Sequence, residues 1–160
     1  MIGALAIPGY LEINIEKDIG GLENVKNLGV GGTAFIIRAK LVAPHLIVKH
    51  GINDVAIKIM NENATSKGMI EETRRSFLYE VAIMSSLPVS PNIVRLIGYS
   101  NKDPMAIVMK FYPLSLKEMF KRSDFVVTSD VALKIALDIS TGLSVIHKQG
   151  ILHLDIKPRK

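Results

Sequence analysis

The rhythm of apolar and polar positions changes once along this chain, near Pro113. Before that point, short apolar runs bounded by Gly, Asn, Asp and Pro predict strands at Val25 to Leu28, Ala34 to Leu41, Asp54 to Met60, Ile93 to Gly98 and Ala106 to Tyr112. Turn residues separate them, notably Gly51-Ile52-Asn53-Asp54 and Asn101-Lys102-Asp103-Pro104. One helix interrupts the strands: between Glu71 and Leu87, Phe77, Val81, Met84 and Leu87 recur at spacings of four, three and three, and Pro88 ends the run. After Pro113 the period is helical. Val131, Ile135, Ile139, Leu143 and Ile146 form one stripe, with His147 and Lys148 suited to the C-terminal dipole and Gly150 at a C′ position. The expected organisation is α+β: an N-terminal extension over residues 1–22, a mostly β lobe over 23–112, and a helical part over 113–160 entered through Pro113 to Ser115.

Composition narrows the classes. A chain of 160 residues with 48% hydrophobic content can bury a core. Its net charge of +5 is scattered rather than clustered, so no nucleic-acid partner is expected. The absence of cysteine excludes disulfides and thiolate metal sites, and the four histidines lack metal-ligand spacing. No apolar run reaches membrane-spanning length. The opening Met1 to Tyr10 has no basic start and is broken at Pro8, which does not suit a signal peptide, and Ile2 excludes myristoylation. No membrane association and a cytoplasmic location are therefore expected.

Three constellations carry candidate chemistry. The first is Leu28-Gly29-Val30-Gly31-Gly32-Thr33-Ala34. Its glycines let backbone N–H groups approach phosphate oxygens, although a tight glycine-rich hairpin would look the same. The second is Val55-Ala56-Ile57-Lys58, a lysine inside an apolar strand. Either its stem reaches out to solvent or its ammonium finds a partner. Glu80 offers one, because it lies among Phe77, Val81 and Met84 on the following helix, where it is otherwise an ordinary solvated residue. The third is His153-Leu154-Asp155-Ile156-Lys157-Pro158, a polar set interleaved with aliphatic residues directly after the long helix. Asp155 could accept a hydroxyl proton while Lys157 offsets charge on a transferred phosphoryl group; the alternative is a surface turn with an incidental ion pair.

In order and spacing these constellations resemble the eukaryotic protein kinase signature, over Glu23 to Lys160. Pro91-Asn92-Ile93-Val94-Arg95-Leu96-Ile97-Gly98 and the hinge wording are similar to the tyrosine-kinase-like branch, and Lys157 after Asp155 to serine/threonine specificity. The resemblance implies a kinase N-lobe, with an antiparallel five-stranded sheet and the helix that the family calls αC, followed by the first helices of a C-lobe, αD and αE, and the start of the catalytic loop. It implies ATP and Mg2+ as cofactors and a protein substrate. Leu28, Gly29 and Gly31 would cover the nucleotide, Ile36 and Ala56 would sandwich the adenine, and Lys58 held by Glu80 would contact the α and β phosphates. Met109 would be the gatekeeper, and Lys110, Phe111 and Tyr112 the hinge; Met84, Leu96 and His153 resemble the apolar spine. Asp155 and Lys157 would be catalytic, alongside Lys58 and Glu80.

Departures from the pattern shape a second reading. Leu154 stands where the family has arginine, which removes the cation that would pair with an activation-loop phosphate. Lys160 stands at the metal-binding asparagine, and a charged lysine cannot ligate Mg2+. The sequence stops before any Asp-Phe-Gly segment, so an incomplete chain is expected, with the face of αE available to a partner protein. The alternative function is a catalytically inactive, pseudokinase-like nucleotide-binding or protein-interaction module. The stretch from Ile37 to Val55 is longer than a strand connection requires, with no function read for it.

Overall fold

In a computed structural model the chain is described for residues 6–22, 27–30, 34–60 and 67–158, with backbone only for 27–30 and 67–70. It divides into two units: Met1–Ser86 with Arg95–Phe111, and Leu87–Val94 with Tyr112–Lys160.

The first unit is an antiparallel sheet of β1 (Ile19–Gly20), β2 (Asn27–Val30), β3 (Ala34–Leu41), β4 (Asp54–Met60), β5 (Leu96–Ser100) and β6 (Ala106–Lys110). The order is β1-β3-β4-β6-β5, with β2 pairing β3. Strands β2 to β6 supply the five-stranded antiparallel sheet that the resemblance implies, and β1 is an addition. Central β4 buries Val55, Ala56 and Ile57 in succession because both faces of the sheet are covered. On one face, helix α3 (Lys67–Ser86) inserts Phe77 and Val81 against Met60, Tyr99 and Ile107. On the other, Ile37, Ala39, Val55, Ile57 and Val108 are covered by chain that the strand pattern did not anticipate.

That cover has two parts. The extension carries a 3-10 turn (Gly9–Leu11) and a short helix α1 (Ile15–Asp18) before β1. Asn14 caps α1 by accepting from the Lys17 N–H, and Ile13, Ile15 and Ile19 point into the core. The long connection after β3 contains helix α2 (Pro44–His50), which seats Leu46 in the same cluster. Its boundaries obey ordinary rules: Pro44 opens it, and Gly51, at φ 65°, closes it with an N–H to the Ile47 carbonyl at 2.8 Å.

Of the expected hairpin strand Val25 to Leu28, residues 25 and 26 lie outside the described residues, and the described strand runs to Val30. The strand expected from Ile93 begins instead at Leu96, since residues 90–93 turn, with the Ile93 N–H directed to the Ser90 carbonyl. In the second unit, the segment from Leu87 to Val94 packs with α4 (Leu116–Met119) and α5 (Ser129–Lys148). A capping box between Ser115 and Glu118 starts α4, and Thr128 caps α5. Gly142 lets α5 lie against the backbone of Asn92: a Cβ there would come within 2.6 Å of its carbonyl oxygen. The apolar stripe read for α5 is mostly half-buried; Leu133 and Leu137, off that stripe, are its most exposed large apolar residues. No helix among the described residues is long and apolar enough to cross a membrane.

Candidate functional site

Strand pairing brings the first two constellations together. Ile36 lies opposite Lys58 and Lys58 opposite Ile107, while Ala56 lies opposite Met109. Alternation along a strand therefore places Ile36, Ala56, Lys58 and Met109 on the same face of the sheet, the face that also carries α3. Gly29 pairs with Ile36 in β2, which puts the start of the glycine cluster over this row. Gly31 lies outside the described residues, as does the Leu28 side chain.

The Lys58 ammonium is held in a fork by the Glu80 carboxylate, with Nζ at 2.8 Å from Oε1 and 2.6 Å from Oε2. The helix delivers Glu80 there because Phe77 and Val81, three residues before and one after it, are fully buried and fix the turn between them. Both charged side chains keep some solvent contact, at 26% and 40% exposure. A charge-assisted pair of this kind fixes the lysine head while leaving a third N–H for another anion. Met84 and Leu96 pack at the fringe of the cluster below.

A further contact at the end of the row was not read from the sequence. The Arg38 guanidinium is gripped by Asp54, at 3.1 Å from Nε and 2.8 Å from Nη2, and lies 4.6 Å from the ring centre of Phe111. The signal was available: Arg38 is two residues past Ile36 on the same strand face, and Asp54 two before Ala56. These residues hold the Phe111 ring where β6 runs into Tyr112.

The third constellation lies in the other unit and follows α5. Gly150 takes φ 71° and releases the chain into residues 151–157, an extended loop tied back where the Lys117 N–H reaches the Pro158 carbonyl at 2.8 Å. Asp155 and Lys157 form an ion pair at 3.0 Å, and the Asp155 N–H points to Nδ1 of His153 at 3.3 Å. Leu154 between them sits at φ 58°, left-handed backbone that costs a branched L-residue energy. Such strain is held where the surroundings over-determine a conformation, here the turn that sets His153 and Asp155. Lys160 lies outside the described residues.

Among the described residues, no group of three or more His, Asp or Glu side chains could hold a metal ion. A cavity of about 470 Å³ lies elsewhere, between the extension and the β5–β6 turn, lined by Glu12, Asn14, Glu16, Lys102 and Asp103 among others. Lys58 and Glu80 take no part in it, so it is separate from the row that the ion pair marks.

Comparison with known proteins agrees with this geometry. A family model described as the protein kinase domain matches residues 22–159. A protein of Acanthamoeba polyphaga mimivirus, provisionally named a serine/threonine-protein kinase/receptor, is 34% identical across 89% of the chain and 8% of its own length. The Arabidopsis thaliana receptor-like cytosolic serine/threonine-protein kinase RBK1 is 30% identical across 92% of the chain and 30% of its own. The serine/threonine/tyrosine-protein kinase HT1 of the same plant is 35% identical over 54% of the chain and 24% of its own. The chain thus spans less than a third of each of these relatives.

Proposed function

Because this chain belongs to the protein kinase family, we propose that it binds ATP through residues 23–112 and takes part in transfer of the γ-phosphate to serine or threonine hydroxyls of a protein substrate. The observation that carries this reading is the forked Lys58–Glu80 pair, set in one row with Ile36, Ala56 and Met109. The ammonium would meet the α and β phosphates, and the aliphatic side chains would face the adenine. The hinge backbone from Lys110 to Tyr112 would read the base, and Gly29 with Gly31 would cover the phosphates. Asp155 would orient the attacking hydroxyl and accept its proton, while Lys157, 3.0 Å away, would offset phosphoryl charge. Names of relatives as serine/threonine kinases support the hydroxyl class. A cytoplasmic setting follows the name of the cytosolic relative.

The test is transfer of labelled phosphate from ATP to a serine- and threonine-rich protein, comparing the chain with Asp155→Asn. Transfer that is lost in the variant supports the assignment, and transfer unchanged by it overturns the role of Asp155. A second reading, a nucleotide-binding or interaction module without turnover, draws on Lys160 at the expected asparagine. ATP binding with no transfer by the unaltered chain would favour it.

A further inference from the structure

The extension lies ahead of the stretch that matches the kinase family, which starts at residue 22, yet its Leu11, Ile13, Ile15 and Ile19 are each under one-tenth exposed. It meets the sheet at both edges. At the β5 edge, Glu12 bridges Tyr99 in parallel and the Ile13 N–H donates to the Tyr99 carbonyl at 2.9 Å. At the other edge, β1 pairs with β3, Ile19 opposite Leu41. Gly98 permits the first contact, because a Cβ there would stand 2.7 Å from the Leu11 carbonyl oxygen and 2.8 Å from Cγ2 of Ile13.

The buried residues of this strap divide between two clusters. Ile13, Ile15 and Ile19 join the cluster on the face away from α3. Leu11 joins the other, with Phe77 and Val81 of α3, Tyr99 of β5, Ile107 of β6 and Met105 just before it. Phe77 and Val81 are the residues that fix the helical turn carrying Glu80. Leu11 therefore closes the packing that sets where Glu80 stands relative to Lys58.

We propose that the strap is a positioning element for the nucleotide site, acting through Leu11 on α3 and so on the Lys58–Glu80 pair. The inference rests on the reading of that pair as a nucleotide site. If Leu11 were missing, α3 would lose one wall of the cluster and could shift or open locally, because a void in a close-packed cluster leaves its lining without partners. Glu80 would then leave Lys58 for part of the time, and nucleotide affinity would fall by the fraction of molecules in which the pair is broken.

The test compares Leu11→Ala with Ile19→Ala in the full chain. Both truncate a strap side chain under one-tenth exposed, but only Leu11 belongs to the α3 cluster. Titration with a fluorescent ATP analogue is expected to show about fivefold or greater weakening in Leu11→Ala, with Ile19→Ala close to the unaltered chain. Leu11→Met, which refills the site, should restore affinity. Equal effects of the two alanine variants, or none from Leu11→Ala, would overturn the proposal. Should Leu11→Ala not fold, Leu11→Val makes the same comparison with a smaller void. Hydrogen exchange at the amides of 77–84 separates this proposal from the function it rests on. Faster exchange in Leu11→Ala than in Ile19→Ala supports the strap's role even if the unaltered chain binds no nucleotide, and equal exchange overturns it.

Discussion

Replacing Gly142 with alanine sets two opposite effects against each other. In a helix interior, Gly→Ala is ordinarily worth about 1 kcal/mol of added stability, from reduced backbone entropy in the unfolded chain. Here the new methyl would stand 2.6 Å from the carbonyl oxygen of Asn92 and 3.5 Å from its carbonyl carbon, where ordinary contact begins at 3.4 Å. The obstructing atom is backbone and cannot rotate away, so either the helix or the 91–93 turn must move. Overpacking of that kind costs about 1–3 kcal/mol. Asn92 also interacts with Asp138, whose carboxyl is held below the ordinary carboxylate range mainly by the Lys134 ammonium and secondarily by Asn92. The collision should win, with net destabilisation of up to about 2 kcal/mol. Urea unfolding followed by circular dichroism measures it, and the midpoint should fall with an unchanged slope. A variant as stable as the unaltered chain, or more so, would refute the close approach of α5 to the 91–93 turn.

Two other perturbations probe the strained and buried positions. His50 is buried with neither ring nitrogen hydrogen-bonded, and burial first, then the charges of Arg95 and Lys49, push its pKa below 6.5. Its neutral form suits the fold, so its contribution is intact above about pH 6.5 and is lost as pH falls below that value, by at most about 1.4 kcal/mol per pH unit. Urea unfolding between pH 7 and 5 should show a steeper loss in the unaltered chain than in His50→Phe; parallel curves would contradict this. At Leu154, glycine relieves a left-handed conformation worth about 1–2 kcal/mol but adds about 0.5–1 kcal/mol of chain entropy. Leu154→Gly should therefore melt at or slightly above the unaltered chain and Leu154→Val clearly below it, and the reverse order in calorimetry would argue against the turn at Leu154.

The parts of this fold that were legible in the sequence are those whose apolar pattern is long or doubly buried. Strand β4 announces itself because Val55, Ala56 and Ile57 are buried on both faces, and α3 because Phe77, Val81 and Met84 share a stripe. Lys58 and Glu80 stood out because charged residues amid aliphatic ones need partners, and they pair with each other, whereas Asp155 and Lys157 pair on an exposed loop. The strap was not visible, since Leu11, Ile13 and Ile15 alternate over too short a stretch to reveal what they cover. Helix α2 is brief enough that its stop signal, Gly51, reads equally as a turn before β4. The contact of Arg38 with Phe111 joins residues far apart in sequence, and pairing register alone brings them together.

If the Lys58–Glu80 pair marks a nucleotide site, calorimetric titration of ATP should distinguish the unaltered chain from Lys58→Met. A charge-assisted contact to phosphate is worth about 1.5–3 kcal/mol, so affinity should fall by about tenfold or more in the variant. Equal ATP affinity for the two proteins, or no binding by the unaltered chain, would contradict the claim.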